Sequence, residues 1–243
     1  MSRRGKIIVL EGIDGSGKRT QIEMLSRAIG TRRIPHACLS FPRYDRFFGK
    51  LVAQFLNGEF GPLADVDPHF SALLYAGDRL ESKPELEAAL AAGKILLADR
   101  YIGSNLAHQG ARVPAQKRAA FLRWLKQLEY DVYGLPREDM VIYLRVPIGE
   151  AHRLVGKKAA RQYTKRKRDL QESNLVHLRQ ASALYDRLAC QPNWICIDCA
   201  DKTARRGPAT ASLQTPEAIH QEILEAIDAR LKLGLAAQKR VTR

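Results

Sequence analysis

Gly12, Gly17 and Lys18 stand in the stretch LEGIDGSGKRTQ at the spacing G-x-x-x-x-G-K. That spacing suits phosphate. Backbone N–H groups freed by glycines turn inward around an anion, and the lysine reaches its outer oxygens. Gly12, Ile13, Asp14, Gly15, Ser16, Gly17, Lys18, Arg19 and Thr20 therefore form a candidate nucleotide-binding loop. The pattern asks for Ser or Thr after the lysine, where a hydroxyl meets magnesium. Here that place holds Arg19, and the first hydroxyl arrives at Thr20. A guanidinium does not ligate a cation. Either magnesium is held by water and carboxylates, or Arg19 itself points at phosphate or solvent.

A second group lies in KILLADRYIGSNLAHQG. An apolar, strand-like run ends in Asp99, followed by Arg100. An acid at the C-terminal end of a buried strand is placed to anchor magnesium from beyond the phosphate loop. Arg100 beside it has the planar fork of donors that clamps phosphate. Taken alone, the pair is equally a surface salt bridge at a strand end.

The elements that must position these groups follow from the hydrophobic pattern. KIIVLEG, HACLSFP, KILLADR, MVIYLRVP and WICID are short apolar runs without polar alternation, as expected of strands covered on both faces. Helical spacing marks Lys18–Gly30, Arg46–Leu56, His69–Gly93 with a break at Pro84, Gln116–Glu129, Ile148–Val155, Asn174–Leu188 and Pro216–Leu233. Strands alternating with helices predict an α/β fold with a parallel five-stranded sheet flanked by helices. The phosphate loop thus lies between a strand and a helix, the context its motif requires. The chain of 243 residues, 45% of them hydrophobic, is read as one domain carrying a basic insertion at about 156–172 and a frayed tail at 234–243.

A formal net charge of +14 predicts attraction to anions without choosing among nucleotides, nucleic acid and acidic membranes. The apolar run IIVL is too short for a membrane span, and a cytoplasmic protein is expected. Cys38, Cys190, Cys196 and Cys199 suit reduced thiols. The single C-x-x-C of the last two lacks a second pair to complete a zinc set.

Four segments together resemble the thymidylate kinases, P-loop enzymes that phosphorylate dTMP. They are EGIDGSGKRTQ, FPRYDRFFGKLVAQFLNGE, LLYAGDR and DRYIGSNLAHQG, in that order, and the resemblance covers nearly the whole chain. It implies a three-layer P-loop kinase fold, ATP as phosphoryl donor, dTMP as acceptor, magnesium and a homodimer. Residue by residue, it implies that Asp14 accepts the 3′-hydroxyl of dTMP and that Arg43 and Arg100 hold its phosphate. Tyr75 stacks on thymine, and Arg79, four residues later on the same helix face, donates to the base. Phe41 and Tyr44 line the pocket. Asn105 and Gln109 approach the base or sugar edge, and Ser104 shapes the loop. His108 stands where relatives often carry Tyr, near the sugar, which opens the choice between deoxyribose and ribose.

The insertion KKAARQYTKRKR, with seven basic residues in twelve, corresponds to the family's lid over ATP. Some members place a catalytic arginine directly after the acid equivalent to Asp14. Others have glycine there and a basic lid, as Gly15 and this insertion do. Arg161, Arg166 and Arg168 are then the catalytic candidates beside Lys18 and Arg100, while Arg161 or Lys165 alternatively embraces the adenine. Two other readings stay open: a kinase of another nucleoside monophosphate, and a non-catalytic P-loop protein that binds nucleic acid through its basic surface.

Overall fold

The computed structural model describes residues 4–156, 175–201 and 212–236. Five strands, β1 (Lys6–Glu11), β2 (His36–Ser40), β3 (Ile95–Asp99), β4 (Met140–Arg145) and β5 (Trp194–Asp198), form one parallel sheet in the order β2-β3-β1-β4-β5. The helices are α1 (Lys18–Thr31), α2 (Phe47–Asn57), α3 (Pro68–Ala91), α4 (Ile102–Ala111), α5 (Ala115–Lys126), α6 (Ile148–Gly156), α7 (Leu175–Leu188) and α8 (Pro216–Leu231). The expected α/β class and five-stranded parallel sheet are what the chain adopts.

β1 is central because Ile7, Ile8, Val9 and Leu10 are all buried, which requires neighbours on both edges and helices on both faces. Leu10 pairs with Asp99 of β3, and Ser40 of β2 pairs with the same residue. The C-terminal ends of three adjacent strands are therefore level. The strand order changes direction at β1, and ligands of open α/β sheets bind in the crevice at such a point. No helix among the described residues is long and apolar enough to cross a membrane.

Four expectations need correction. Pro84 does not break α3, which continues to Ala91. Leu86 and Leu90 beyond it are buried in the main core. Their burial, at roughly 1.5–3 kcal/mol each, outweighs the roughly 3 kcal/mol cost of an internal proline. Residues 102–111 form a helix, α4, so Ser104 is helical rather than part of a loop. Its apolar periodicity is invisible because nine of its ten residues are buried, two of them glycines. The helix expected at Gln116–Glu129 ends at Lys126 and passes into a π-helical turn, Gln127–Val132. The start of the presumed frayed tail is held: Leu235 is buried, and the N–H groups of Leu235 and Ala236 donate to the Asp228 carboxylate at 2.9 and 2.6 Å.

α2 packs against the loop that follows β2 so closely that only glycine fits at position 49. A Cβ there would lie 1.7 Å from the carbonyl oxygen of Arg43. Gly49→Ala is expected to lower the unfolding free energy by about 1–3 kcal/mol in urea titrations, because backbone must move. Gly149→Ala, at an exposed helical site with nothing within 4 Å of the new Cβ, is expected to be neutral or stabilising by up to about 1 kcal/mol.

Candidate active site

The loop after β1 enters α1 through Gly17, whose φ of 85° makes it a left-handed N-cap with no side-chain capping bond. The first N–H groups of α1 thus lack a cap from that residue, and no acid stands in the first turn. This is the arrangement that receives an anion. Lys18 is buried and folds back over the loop, donating to the carbonyls of Gly12 and Ile13 at 2.9 Å each and lying 3.3 Å from Ser16 Oγ. Gly15 is required sterically as well as conformationally. Its φ is 86°, and a Cβ would lie 2.3 Å from the carbonyl oxygen of Ala151 in α6. A side chain at this position would collide with α6.

Arg19 faces away from the loop. Its side chain is 88% exposed and pairs with Glu23, one turn along α1, at 3.0 Å. Thr20 is exposed as well. Of the alternatives for Arg19, this geometry is the solvent-facing one.

Across from the loop, β3 ends in Asp99, whose Oδ1 is buried without a hydrogen-bond partner. Arg100 follows with a left-handed φ of 69°. Its Nη1 donates to Gly12 O at 3.1 Å and Ser104 Oγ at 3.0 Å, and its Nη2 to Asp14 Oδ1 at 2.8 Å. Burial opposes the Arg100 charge, but Asp14, Tyr185, Asp99 and Glu11 around it outweigh that and raise its pKa well above the ordinary value. Asp14, Arg100, Ser104, Lys18 and the rest of the loop are thus brought together.

A second cluster lies between α3, α4 and the π-helical turn. Arg79 is 1% exposed, and its Nε and Nη2 donate to the Glu129 carboxylate at 2.5 and 2.7 Å. Asn105 Nδ2 donates to Glu129 at 2.9 Å and to Ala72 O at 3.0 Å, and its Oδ1 is buried without a partner. Arg79 shares a helix face with Tyr75 as expected, yet two of its five N–H donors are engaged by Glu129. Gln109 Oε1 accepts from Ser71 at 2.9 Å and from Arg112 at 3.0 Å. Tyr75 is half-buried, meeting Phe55 edge-on at 6.4 Å, and Tyr44 packs on the same smaller apolar cluster.

Two expected pocket residues are placed elsewhere. Phe41 is buried in the core against Tyr101, so it supports the site from behind. Arg43 turns its side chain to Glu85 of α3, while its backbone N–H donates to both oxygens of Asp78 at 3.1 Å. Burial pushes the Asp78 carboxyl up to about 6. Arg43 is therefore not turned to the phosphate loop as Arg100 is, because a nearer carboxylate competes for its charge. Arg161, Lys165, Arg166 and Arg168 lie outside the described residues.

His108 Nδ1 meets His177 Nε2 of α7 at 3.3 Å, its ring packs edge-on to Tyr185, and its Nε2 is buried without a partner. Burial first, then Arg100, holds His108 well below the ordinary histidine value, and burial brings His177 to about 4. Glu11, Glu129, His177 and Tyr185 were not foreseen. Glu11 had a signal: it is an acid closing an otherwise apolar strand. Glu129 had one as well: it follows Phe121 and Leu125 at i, i+4, i+8 spacing, an acid on the apolar face of the expected helix. Cys196 is exposed and Cys199 buried, and no group of three metal-capable side chains exists among the described residues.

The chain is similar to known proteins over most of its length. A family model described as thymidylate kinase matches residues 10–205. The thymidylate kinase of Mycobacterium tuberculosis is 31% identical over 189 residues, covering 76% of this chain and 86% of that protein. The human thymidylate kinase is 35% identical over 150 residues, covering 62% and 65%. The solved structure of thymidylate kinase from Candida albicans superposes with a TM-score of 0.69 at 19% identity, covering 95% of this chain and 94% of that one, and so shares its fold.

Two measurements probe the buried polar groups. Glu129→Ala leaves the Arg79 charge buried without its main partner and is expected to cost about 3–5 kcal/mol in urea unfolding. The depressed folded-state value of His177 sets a sign: its contribution is present above pH 6.5 and is lost as pH falls through about 4. The penalty of His177→Phe should therefore shrink by up to about 3 kcal/mol between neutral pH and pH 4. A penalty independent of pH would contradict the neutral buried imidazole.

Proposed function

The chain belongs to the thymidylate kinase family, and on that premise we propose how its site transfers a phosphoryl group from ATP to dTMP, giving ADP and dTDP. The observation that carries the reading is Arg100. One guanidinium bonds the donor loop at Gly12 O and the acid at Asp14, so it stands where two phosphate chains must meet. Bringing two polyanions into line is the larger part of this chemistry, because the acceptor is already an anionic phosphate and needs no strong base.

The glycine loop from Gly12 to Thr20 and Lys18 hold the outer phosphates of ATP. Arg100 holds the phosphate of dTMP, and Asp14 accepts from its 3′-hydroxyl while keeping Arg100 charged. The unpartnered Asn105 Oδ1 offers an acceptor to the base, and the Glu129 clamp fixes both Asn105 and Arg79 for it. Tyr75 gives its ring to thymine. Gln109 sits behind Asn105, tied to Ser71 and Arg112. His108 faces the same cluster of charges as Arg100 and Asp14. Arg43 contributes to acceptor binding by leaving Glu85 for the incoming phosphate.

Magnesium fits the residues present. Asp99 carries a buried oxygen without a partner at the strand end beside the loop, and Mg²⁺ is commonly held by one or two carboxylates plus waters. When bound, it neutralises charge on the phosphoryl oxygens. A cation must also meet the charge developing on the transferred group. The steric bar against a side chain at Gly15 supports assigning that part to the basic insertion, with Arg161, Arg166 and Arg168 as candidates.

The chain forms a single domain and a homodimer in this reading. Phe47 of α2 and Phe70, Leu73 and Leu80 of α3 are exposed large apolar residues, which supports pairing through these helices.

A coupled assay of ADP release across dTMP, dUMP, UMP, CMP, AMP and GMP tests the assignment, with fastest turnover expected on dTMP. No turnover on any of them would sink the kinase reading, and preference for AMP or CMP would sink only the acceptor.

A further inference from the structure

Glu11 closes β1 immediately before the phosphate loop, and its side chain is fully buried. Its Oε1 accepts the backbone N–H groups of Tyr101 and Ser104, each at 2.9 Å. Its Oε2 accepts the hydroxyl protons of Ser104 at 2.6 Å and Tyr185 at 2.9 Å. Four donors thus converge on one carboxylate that reaches no solvent.

Two of these bonds do the work of a helix cap. Tyr101 is the N-cap of α4 and makes no capping bond of its own, and Ser104 is the third residue of that helix. In an ordinary capping box those two N–H groups are satisfied by the helix's own side chains. Here a carboxylate from another strand takes both, and its charge suits the positive end of α4. The same bonds fix the strained residue between β3 and α4. Arg100 holds a left-handed φ of 69°, which persists in a non-glycine residue only where the surroundings over-determine it. The N–H of Arg100 donates to Leu10 O at 3.0 Å and the next N–H, of Tyr101, to Glu11. Two successive residues of β1 therefore hold two successive amides around that turn.

The remaining bonds set a direction. A carboxylate only accepts, so Ser104 must give Glu11 its single hydroxyl proton. That leaves the oxygen's lone pairs for Arg100 Nη1, 3.0 Å away. We propose that Glu11 is a positioning residue for Arg100: it holds the left-handed turn and, through Ser104, orients the guanidinium between Gly12 and Asp14. The proposal rests on the reading that Arg100 binds the acceptor phosphate. Burial raises the Glu11 carboxyl above its ordinary value, while Ser104, Arg100, Tyr101 and Tyr185 counter that and favour the charged form.

The variants follow from proton direction. In Glu11→Gln the amide oxygen still accepts both N–H groups. The amide nitrogen, however, donates to Ser104 Oγ and occupies one of its lone pairs. The hydroxyl proton then leaves residue 11 for Tyr185 Oη at 3.0 Å or for the Arg100 side, and Arg100 Nη1 meets a competitor for the oxygen it bonds. Ser104→Ala removes the same link directly. Tyr185→Phe removes a donor from the same carboxylate, together with the hydroxyl 3.0 Å from Ser104 Oγ, and leaves both the Ser104–Glu11 and the Ser104–Arg100 bonds in place. Steady-state kinetics with dTMP and ATP varied separately are expected to show a roughly tenfold rise in KM for dTMP in Glu11→Gln and in Ser104→Ala, with KM for ATP within about twofold. The double variant should be no worse than Ser104→Ala alone, because both changes cut one chain of bonds. Tyr185→Phe should lower the melting temperature without moving the ratio of the two KM values. Equal effects on both substrates, additive single variants, or a Tyr185→Phe ratio matching that of Ser104→Ala would overturn the proposal. Should Glu11→Gln not fold, Ser104→Ala against Tyr185→Phe still decides it. Absence of dTMP turnover in the unaltered protein would strike the kinase reading, and with it this proposal; turnover with an unmoved KM ratio in Ser104→Ala would strike the proposal alone.

Discussion

Arg100 is a cation held among acids at the level where β1 and β3 leave the sheet, and the rest of the site is arranged around the need to keep it charged there. Burying a guanidinium is costly unless carboxylates and hydrogen-bond acceptors surround it. Asp14 supplies a direct partner at 2.8 Å, and Gly12 O and Ser104 Oγ take further protons. The adjacent parallel strands make this possible. Because Leu10 is paired with Asp99, the loop after one strand and the turn after the other emerge side by side. Groups from residues nearly ninety positions apart are thereby brought within hydrogen-bonding distance.

The same compensation recurs one layer away. Arg79, Glu129 and Asn105 form a second buried polar cluster, in which Glu129 is an acceptor for two different elements. Such clusters gain little net stability over apolar packing, but removing one member is expensive because the others stay buried. That asymmetry suits a binding pocket, since it fixes side chains in one arrangement before the ligand arrives. Glu129 lies in the π-helical turn, four residues after Leu125 and eight after Phe121, the two residues that α5 buries, and so continues the face turned to the core.

Several parts of this were legible in the sequence. KIIVLEG and KILLADR are apolar between a leading lysine and their polar ends, and strands buried on both faces must look so; WICID is as apolar but forms the edge strand β5, in which Cys196 is exposed. The glycines and Lys18 announce the candidate phosphate loop, because positive φ at 12, 15 and 17 favours glycine and the lysine adds charge beside freed N–H groups. Asp99 and Arg100 stood out as charges ending an apolar run. α4 was not legible, because the periodicity that marks a helix comes from a difference between a wet and a dry face, and α4 has almost no wet face. Pro84 misled for the opposite reason: a local penalty was visible, and the burial of Leu86 and Leu90 that offsets it was not.

From local patterns alone the sequence specified the fold class, the five strands, every helix but α4, the glycine loop and the chemical types gathered near it, because those depend on periodicity along the chain and on residues without substitutes. Only the tertiary structure decided which charge meets which. It turns Arg19 to Glu23 and solvent, gives Arg43 to Glu85, commits Arg79 to Glu129 and sets Glu11 beneath Arg100. It also decides that position 15 must be glycine on account of Ala151 in α6, far along the chain. Side-chain partners are chosen by distance in space, and the sequence records only separation along the chain.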